Sequence, residues 1–295
     1  MLDYRIAAVC GAALGAALAA RSKYERKSLS VEETEVFSDR LTRDWIFVFL
    51  SDLHENEFGP ENEQLIAAID RIKPDGILIG GDLIVTKKRQ ARTRVSETLL
   101  AALASRYPIY CGNGNHESRM RWRKEEYKDG YEQYRAYLKK LGICLLEDQS
   151  VLVGDEIRVS GLELDPCFYK KAYSKKLALM DQAYIEKKLG PASRDHFQIL
   201  LAHSPLFFEA YRKWGADLTL SGHFHGGTIR LPVLGGVMTP QYQFFLPECA
   251  GTHEKGGKYM AVSRGLGTHS INIRFCNRPQ LMVVRLLPKT DEEED

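Results

Sequence analysis

The segment WIFVFLSDLH, residues 45–54, decides the fold class, because an apolar run is followed at once by Asp52 and His54. A short apolar run of this kind is typical of a strand that is buried on both faces of a sheet. In an extended chain, side chains at positions i and i+2 project to the same side, so Asp52 and His54 can face one point. We therefore expect a buried strand that carries two polar groups into the loop at its end.

The same arrangement recurs along the chain. Further apolar runs of strand character lie at 76–80, 108–111, 157–161, 197–203 and 217–221. Four of them lead into polar blocks, which are GGDL at 80–83, GNHE at 114–117, LAHS at 201–204 and SGHFHGG at 221–227. The candidate functional residues of these blocks are Asp82, Asn115, His116, His203, His223 and His225. Because active sites are commonly built from loops at the ends of core strands, we expect the blocks to meet in the fold.

Helical periodicity occupies the intervals between these runs. Leu65, Ile69 and Ile72 recur at i, i+4 and i+7, and Val95, Leu99 and Leu103 form a second stripe. Parts of 127–141 and 174–189 follow the same pattern, whereas the C-terminal third has strand character at 259–264, 271–275 and 281–287. The alternation predicts an α/β domain with two stacked mixed sheets flanked by helices.

The ligand types in the polar blocks indicate a metal site. Carboxylate and amide oxygens together with imidazole nitrogens suit Mn, Fe or Zn. The four histidines at positions 54, 203, 223 and 225 argue against Mg or Ca, and the absence of thiolates from the blocks argues against a structural zinc site. Singly, a histidine on a strand is more often a packed residue than a ligand, so the prediction depends on all five blocks together.

Taken in order, the blocks read D-x-H, GD, GNHE, a single H and GHxH, and this pattern resembles the calcineurin-like metallophosphoesterase superfamily. The resemblance covers about residues 45–288 and includes SRGLG at 263–267 and the segment 274–279, which are similar to a bacterial membrane-associated branch. Val85 stands where many relatives have a second aspartate. The GDxxDRG form typical of Ser/Thr protein phosphatases is absent, which argues against that branch.

The resemblance implies a four-layer α/β/β/α sandwich with two divalent transition-metal ions. Asp52, His54 and His225 are expected to hold one ion, and Asn115, His203 and His223 the other. Asp82 is expected to bridge the two ions. The implied reaction is hydrolysis of a phosphomonoester, phosphodiester or pyrophosphate bond by a hydroxide that bridges the metals. His116 is the implied catalytic residue, which stabilises the transition state or protonates the leaving oxygen.

The N-terminus has a different character from the rest of the chain. Residues 6–20 are apolar or small, and Arg21, Lys23, Arg26 and Lys27 follow. Fifteen residues are marginal for a bilayer span, so a membrane anchor at 1–25, an export signal and a buried or interfacial helix all remain open. The anchor is the favoured interpretation, and the cations after it predict a cytoplasmic catalytic domain.

The remaining boundaries follow from composition. Residues 26–44 are charged and lack periodicity, so we interpret them as a linker before a catalytic domain at 45–288. The acidic residues at 289–295 are expected to form a solvated tail. The six widely spaced cysteines read as free thiols, and a net charge of +2 does not indicate a nucleic-acid partner.

Two features bear on the substrate. Basic stretches at 87–94 and 119–124 directly follow polar blocks, and an apolar, aromatic segment lies at 231–246. A solvated surface and ordinary packing would explain them, and so would contact with a phosphate or a lipid head group. The leading hypothesis is a lipid-linked or nucleotide-lipid phosphate, similar to UDP-2,3-diacylglucosamine hydrolases, at a membrane. The alternative is a non-catalytic metal-binding scaffold with the same fold. Polar blocks that had lost some of their ligand residues would favour this alternative. No protein partner is inferred.

Overall fold

A computed structural model describes residues 2–171, 178–268 and 272–289. In chain order the strands are β1 (Ser30–Ser38), β2 (Trp45–Leu50), β3 (Gly76–Ile79), β4 (Val85–Lys87), β5 (Gln90–Arg92), β6 (Ile109–Cys111), β7 (Cys144–Leu145), β8 (Gln149–Val153), β9 (Ile157–Gly161), β10 (Phe197–Leu201), β11 (Leu218–Ser221), β12 (Arg230–Leu231), β13 (Gly235–Gly236), β14 (Gly251–Lys255), β15 (Lys258–Val262) and β16 (Gln280–Pro288). The helices are α1 (Leu2–Glu25), α2 (Glu63–Ile72), α3 (Arg94–Ala104), α4 (Asn115–Trp122), α5 (Lys124–Tyr127), α6 (Gly130–Lys140), α7 (Gln182–Leu189) and α8 (Phe208–Trp214).

Two mixed six-stranded sheets form the centre of the domain. The first sheet has the order β1-β16-β2-β3-β6-β7, and the second has the order β14-β15-β11-β10-β9-β8. In the first sheet β2, β3 and β6 run parallel while β16 is antiparallel to β2. In the second sheet β9, β10, β11 and β15 run parallel, and the outer strands β8 and β14 are antiparallel to their neighbours.

The alternation of side chains along β2 explains why the sheets stack. Phe47 and Phe49 enter a core shared with β9, β10 and β11 of the second sheet, whereas Val48 and Leu50 enter a core shared with α2, α3 and α6. A third core lies between the second sheet, including Leu200, and the helices α7 and α8. The predicted four-layer α/β/β/α sandwich is thereby confirmed. Burying both faces of each sheet supplies the main apolar stabilisation of such a fold.

The predicted strands at 45–51, 76–80, 108–111, 157–161, 197–203 and 217–221 all form, each ending within two residues of the expected position. The helices expected within parts of 127–141 and 174–189 form as α6 (Gly130–Lys140) and α7 (Gln182–Leu189). Residues 174–177 of the second helical stretch lie outside the described residues, as do residues 290–295 of the acidic tail.

The interpretation of residues 26–44 as a linker is wrong for Ser30–Ser38, which form β1 at the edge of the first sheet, parallel to β16. Alternate residues face the protein in this strand, but Glu32 and Thr34 are among them, so no apolar alternation marks it. Glu32 is held instead by an ion pair with Arg264. A strand whose inward positions are polar gives no hydrophobic signal in the sequence.

The predicted strand at 271–275 is also wrong. Residue 271 lies outside the described residues, residues 272–274 form no strand, and Phe275 makes only an isolated bridge with Ile229. Arg274 in this segment is 1% exposed and directs its guanidinium to backbone carbonyl groups instead of pairing with a strand. The backbone N of Arg274 donates to Ser22 Oγ at 3.1 Å, so it does not take part in a ladder of strand hydrogen bonds.

The helix α1 extends beyond the apolar run on both sides. It covers 24 residues, and its segment Ile6–Glu25 is long and apolar enough to cross a membrane, with most of its residues exposed. Its last turn, in contrast, contacts the domain, because Ser22 is 7% exposed and Glu25 is fully buried. The helix therefore combines an exposed apolar body with a docked C-terminal end.

Candidate metal centre

The carboxyl ends of parallel strands from both sheets place the predicted ligands. Asp52 and His54 follow β2, and Asp82 follows the neighbouring strand β3. His203 follows β10 and His223 follows β11 in the second sheet. Backbone hydrogen bonds continue past the strand ends, for example from Asp52 N to Gly81 O at 2.9 Å and from His54 N to Asp82 O at 3.1 Å. The loops are therefore fixed by the same ladder that forms the sheet.

Two contacts join the sheets at this edge. The backbone N of His223 donates to both carboxylate oxygens of Asp52, at 3.1 and 3.0 Å. The Nδ1 of His203 lies 2.7 Å from the carbonyl oxygen of Gly80 and donates to it. Each contact runs between a loop of one sheet and a loop of the other, so the site lies across the sandwich.

Five of the predicted ligands have backbone angles that side chains rarely adopt. Their φ values are 53° for Asp52, 47° for His54, 54° for Asp82, 69° for His223 and 50° for His225. A non-glycine residue with positive φ is uncommon and costs free energy. Such angles cluster at functional sites, where the surrounding structure imposes them to aim side chains at one point.

The first group of converging side chains, which we name the Asp52 cluster, contains Asp52, His54 and His225, all buried. The Nε2 atoms of His54 and His225 lie 3.1 Å apart, and Asp52 Oδ1 lies 3.4 Å from His225 Nε2. His225 Nδ1 lies 3.2 Å from the carbonyl oxygen of Gly267. Because a proton on Nδ1 donated to a carbonyl makes Nε2 the acceptor nitrogen of the ring, His225 is oriented as a metal-binding histidine usually is.

The second group, the His203 cluster, contains Asp82, His203 and His223, again all buried. Asp82 Oδ2 lies 3.2 Å from His203 Nε2 and 3.8 Å from His54 Nε2, so this oxygen stands between the two clusters. His203 has the same orientation as His225, with its Nδ1 bonded to a carbonyl and its Nε2 turned inward. The geometry of both clusters suits divalent metal ions.

Asn115 is the remaining predicted ligand, and it opens α4. Its side chain is buried, and none of the described residues donates a hydrogen bond to its Oδ1. A buried amide oxygen without a donor costs free energy unless it binds a ligand. The residues present therefore fit a metal, because Asn115 offers a buried oxygen next in the chain to His116, whose backbone N donates to Asp82 Oδ1.

Glycine is required at two positions where backbone approaches these ligands. A Cβ atom at Gly114 would lie 2.2 Å from Asp82 Oδ1, and one at Gly222 would lie 2.2 Å from Asp52 Oδ2. Neither distance is possible for real atoms, so any side chain at these positions would displace a carboxylate. This packing explains the glycines that precede Asn115 and His223 in the sequence.

Charges interact strongly inside the site. Burial raises the pKa of Asp52 to about 6. Burial acts against the charged form of His203 too, but Asp82 and Asp52 outweigh it and raise its pKa to about 10. For Asp82, burial is likewise outweighed by His203, His116 and His54, so its pKa lies well below the ordinary value. The carboxylates that favour a positive charge on His203 would also favour a divalent cation at this place.

His116 is buried beside the ligands and is oriented by Thr86. The backbone N of Thr86 donates to His116 Nδ1 at 2.8 Å, which assigns the proton of the neutral ring to Nε2. The backbone N of His116 donates to Asp82 Oδ1 at 2.7 Å. His54, Asp82 and His116 form a third converging group. The imidazole therefore has a fixed tautomer beside the candidate metal ligands.

Glu117 is a functional residue whose role the sequence analysis missed, although it belongs to the GNHE block. Its carboxylate accepts hydrogen bonds from the backbone N atoms of Asp82 at 2.8 Å, Leu83 at 2.9 Å and Gly114 at 3.0 Å. Burial and the nearby Asp82 raise the pKa of Glu117 to about 7. The signal that could have revealed it is its position in the first turn of α4, where a carboxylate commonly caps backbone N–H groups.

A cleft of about 520 Å³ opens beside His54 and His116. Five cations line it, namely Arg26, Lys27, Lys87, Arg92 and Arg119. Glu55 is the one acid among the described residues that line it, and it accepts hydrogen bonds from the backbone N atoms of Val95 and Ser96 at the start of α3. The cleft is therefore strongly positive, and three of its cations come from the basic stretches noted in the sequence.

Comparisons with known proteins agree with this geometry. The sequence profile of the family described as calcineurin-like phosphoesterase matches residues 46–227. The chain is 28% identical to the metallophosphoesterase YkuE of Bacillus subtilis, over 81% of this chain and 78% of that protein. It is also 28% identical to the phosphodiesterase YaeI of Escherichia coli, over 81% of each chain.

A third relative is a bovine protein named as a transmembrane protein with a metallophosphoesterase domain. It is 29% identical over 79% of this chain, which spans about half (51%) of the bovine protein. The profile match covers more than half of the chain and includes every polar block from Asp52 to His225. The chain therefore belongs to the calcineurin-like phosphoesterase family and is a metal-dependent hydrolase of phosphoric esters.

Proposed function

We propose that this phosphoesterase works with two divalent transition-metal ions, Mn, Fe or Zn. The Asp52 cluster would hold one ion, Asn115 and the two histidines of the His203 cluster would hold the other, and Asp82 would contact both. The position of Asp82 Oδ2 between His54 Nε2 and His203 Nε2 is the observation that carries this proposal. The unsatisfied Oδ1 of Asn115 supports it independently.

When bound, two such ions would supply Lewis-acid stabilisation and a hydroxide nucleophile near neutral pH. Asp52 and Asp82 bring two negative charges to the centre, fewer than the four positive charges of two divalent ions. The loaded centre would remain positive and attract an anionic phosphate. The cations of the cleft would add to this attraction.

His116 contributes a proton donor, the N–H group at Nε2. His116 Nε2 carries the hydrogen, because Nδ1 accepts the backbone hydrogen bond from Thr86. From this position His116 would donate to a phosphate oxygen or to the leaving oxygen. A contribution of this kind is worth roughly 10²–10⁴ in rate.

The substrate we propose is a phosphodiester or pyrophosphate of a lipid-linked molecule at a membrane surface. Arg26 and Lys27, which line the cleft, come directly after α1. If α1 enters a bilayer, the cleft opens at the level of the lipid head groups. The cations after the helix would then favour a cytoplasmic catalytic domain, and an exported domain is the alternative.

Exposed apolar residues beside the end of α1 support membrane contact. Val233 is fully exposed and Leu234 is 63% exposed, and both lie in the turn between β12 and β13. Cys276 lines a shallow cavity with Leu231 and Val233, and its neighbour Asn277 bonds to Glu25 of α1. The turn therefore lies close to the point where α1 leaves the domain, where membrane-facing residues are expected.

The test uses the full-length chain, stripped of metal and supplied in turn with Mn, Zn, Fe, Co or Mg. Hydrolysis of bis-p-nitrophenyl phosphate and p-nitrophenyl phosphate is measured for wild-type protein and for His116→Ala. We expect activity with a transition metal, a preference for the diester, and a loss of roughly 10²–10⁴ in kcat in the variant. Equal activity of His116→Ala would contradict its assignment, and preference for the monoester would contradict the proposed substrate class.

Membrane association has its own test. Removing residues 2–18 leaves Ser22 and Glu25 in place, so the domain keeps its contacts with the last turn of α1. We expect the shortened protein to move from the membrane fraction to the soluble fraction while it still hydrolyses bis-p-nitrophenyl phosphate. Unchanged sedimentation with membranes would refute the anchor.

A further inference from the structure

The loop at 263–267 forms the back wall of the Asp52 cluster. The backbone N of Gly267 donates to Asp52 O at 2.6 Å, and the backbone N of Leu266 donates to Ser51 O at 3.0 Å. A Cβ atom at Gly265 would lie 2.8 Å from Asp52 Cβ and 3.3 Å from His225 Nδ1. Together with the bond between His225 Nδ1 and Gly267 O, these contacts mean that a shift of this loop would move both Asp52 and His225.

Arg274 holds this loop from behind. Its Nη2 donates to the carbonyl oxygens of Arg264 at 2.7 Å, Gly265 at 3.0 Å and Gly267 at 2.5 Å. The side chain is 1% exposed, so these carbonyl groups replace the water that a guanidinium normally binds. The carbonyl of Gly267 is thus shared between Arg274 and His225, and the arginine orients the group that orients a ligand.

Asn277 fixes His225 from the backbone side. Its Nδ2 donates to the carbonyl oxygens of His225 at 2.7 Å and Thr228 at 3.1 Å. Asn277 is itself buried and lies three residues after Arg274, whose Nη1 donates to Asn277 O at 3.1 Å. Arg274 and Asn277 therefore brace both the ring and the main chain of the same histidine.

The last turn of α1 holds the segment that carries these two residues. The backbone N of Arg274 donates to Ser22 Oγ at 3.1 Å, and the backbone N of Asn277 donates to Glu25 Oε2 at 3.0 Å. Glu25 is fully buried and is paired with Arg21 at 2.7 Å. The end of the apolar helix is thus joined to the metal centre by a continuous series of hydrogen bonds.

We propose that Arg274 and Asn277 are positioning residues for the Asp52 cluster and that the last turn of α1 completes their support. The proposal rests on the proposed dinuclear centre. It implies that the last turn of the apolar helix helps to hold the metal centre, since it braces a histidine that would bind metal. The His203 cluster does not share this dependence, because His203 is oriented by Gly80 at the end of the core strand β3.

The experiment counts metal ions per chain and measures their affinities in full-length protein, using Mn²⁺ as the probe. The variants are Asn277→Ala, Arg274→Lys and Glu25→Gln, with circular dichroism to establish that each is folded. We expect one ion to need roughly ten- to a hundredfold more Mn²⁺ for half-loading in Asn277→Ala and Arg274→Lys, as is typical when support of a metal ligand is lost. The other ion should load as in wild type. Glu25→Gln should weaken the same ion by a smaller factor.

Asn62→Ala is the matched control. Asn62 is also a fully buried asparagine, whose Oδ1 accepts a hydrogen bond from Phe58 N at 2.9 Å, and no hydrogen bond among the described residues joins it to a proposed ligand. We expect this variant to lower the melting temperature and to bind both ions normally. If Arg274 and Asn277 had a merely structural role, their variants would likewise lower the melting temperature without a change in metal affinity.

Two outcomes would overturn the proposal: normal loading of both ions in Asn277→Ala and Glu25→Gln, or equal weakening of both ions in folded variants. If Arg274→Lys does not fold, the other two variants decide. Wild-type protein that binds fewer than two ions would instead contradict the proposed dinuclear centre, so the two failures can be told apart.

Discussion

The two clusters of the metal centre are similar in chemistry but differ in what supports them. Each contains a histidine whose Nδ1 is held by a backbone carbonyl, His203 by Gly80 and His225 by Gly267. Gly80 directly follows β3 in the buried centre of the first sheet. Gly267 belongs to a loop that is held by Arg274, Asn277 and the last turn of α1.

The two clusters therefore differ in how firmly the rest of the fold holds them. The His203 cluster depends on strands that form the core, so its geometry is as stable as the sandwich itself. The Asp52 cluster depends on segments about 250 residues apart in the chain, as in the bond between Ser22 and Arg274. Regions held by fewer buried elements open at lower free energy than the core. We therefore expect the Asp52 cluster to be the more easily perturbed half of the centre.

The largest expected effect is that of Asp82→Ala, because Asp82 Oδ2 lies between the clusters. Loss of this carboxylate should prevent stable binding of both ions. Metal ions contribute several kcal/mol of transition-state stabilisation, so kcat/KM should fall by at least about 10³. Metal analysis and diester hydrolysis measure the effect. Retention of two ions would contradict the bridging position of Asp82.

Substitution of one histidine in each cluster tests whether the two clusters differ in stability. We expect His203→Ala and His225→Ala each to lose one ion and to reduce activity by roughly 10²-fold or more, since each removes one ligand. His225→Ala should keep the ion of the His203 cluster and the melting temperature of the metal-free protein. Titration with Mn²⁺ and calorimetry of each variant give both values. If the two variants have the same Mn²⁺ affinity and the same melting temperature, the two clusters do not differ in their support.

A substitution in the cleft separates substrate binding from metal binding. Arg92→Met removes one cation of the cleft without touching a proposed ligand. We expect both ions to remain and KM for an anionic diester to rise roughly three- to tenfold, which corresponds to about 1 kcal/mol for one partly solvated charge. Steady-state kinetics at low and high salt provide the measurement, and the difference should shrink at high salt. A change in kcat alone would argue against a role in binding.

The smallest effect concerns the outer support of the Asp52 cluster. Arg264, in the loop at 263–267, pairs with Glu32 of β1, and this pairing lowers the pKa of Glu32 below its ordinary value. The stabilisation is therefore present above about pH 4.5 and is lost as pH falls through the folded-state pKa. Because the carboxylate is 40% exposed, Glu32→Gln should cost no more than about 1 kcal/mol.

Calorimetry at pH 7 and at pH 3 checks this expectation. The melting temperature of Glu32→Gln should be lower than that of wild type at pH 7, and the difference should shrink at pH 3. An equal difference at both pH values would show that the hydrogen bonds of Glu32, and not its charge, are responsible.

Much of the fold and of the candidate site could be predicted, because the information is local in the sequence. Apolar runs such as that of β2 are continuous, and each is followed within a few residues by the groups it positions, as with Asp52 and His54. A strand end determines where its loop begins, so the blocks could be placed at one edge without coordinates. The four-layer arrangement followed from the alternation of strands and helices together with the family resemblance.

What could not be predicted depends on backbone atoms or on distant partners. Arg274 and Glu117 form hydrogen bonds with backbone carbonyl and N–H groups. Because nearly every residue carries such groups, the type of the partner residue gives no signal in the sequence. The strand β1 was missed because Glu32, which faces the protein, is satisfied by Arg264 more than 200 residues later. Such pairings become visible only when the chain is folded.

The central claim is that phosphate-ester hydrolysis requires ions at both clusters. The most direct test titrates metal-stripped, full-length protein with Mn²⁺ and records, in the same samples, the number of bound ions and the rate of bis-p-nitrophenyl phosphate hydrolysis. We expect two ions to bind per chain and activity to appear as the second site fills. Full activity with one bound ion, or with none, would contradict it.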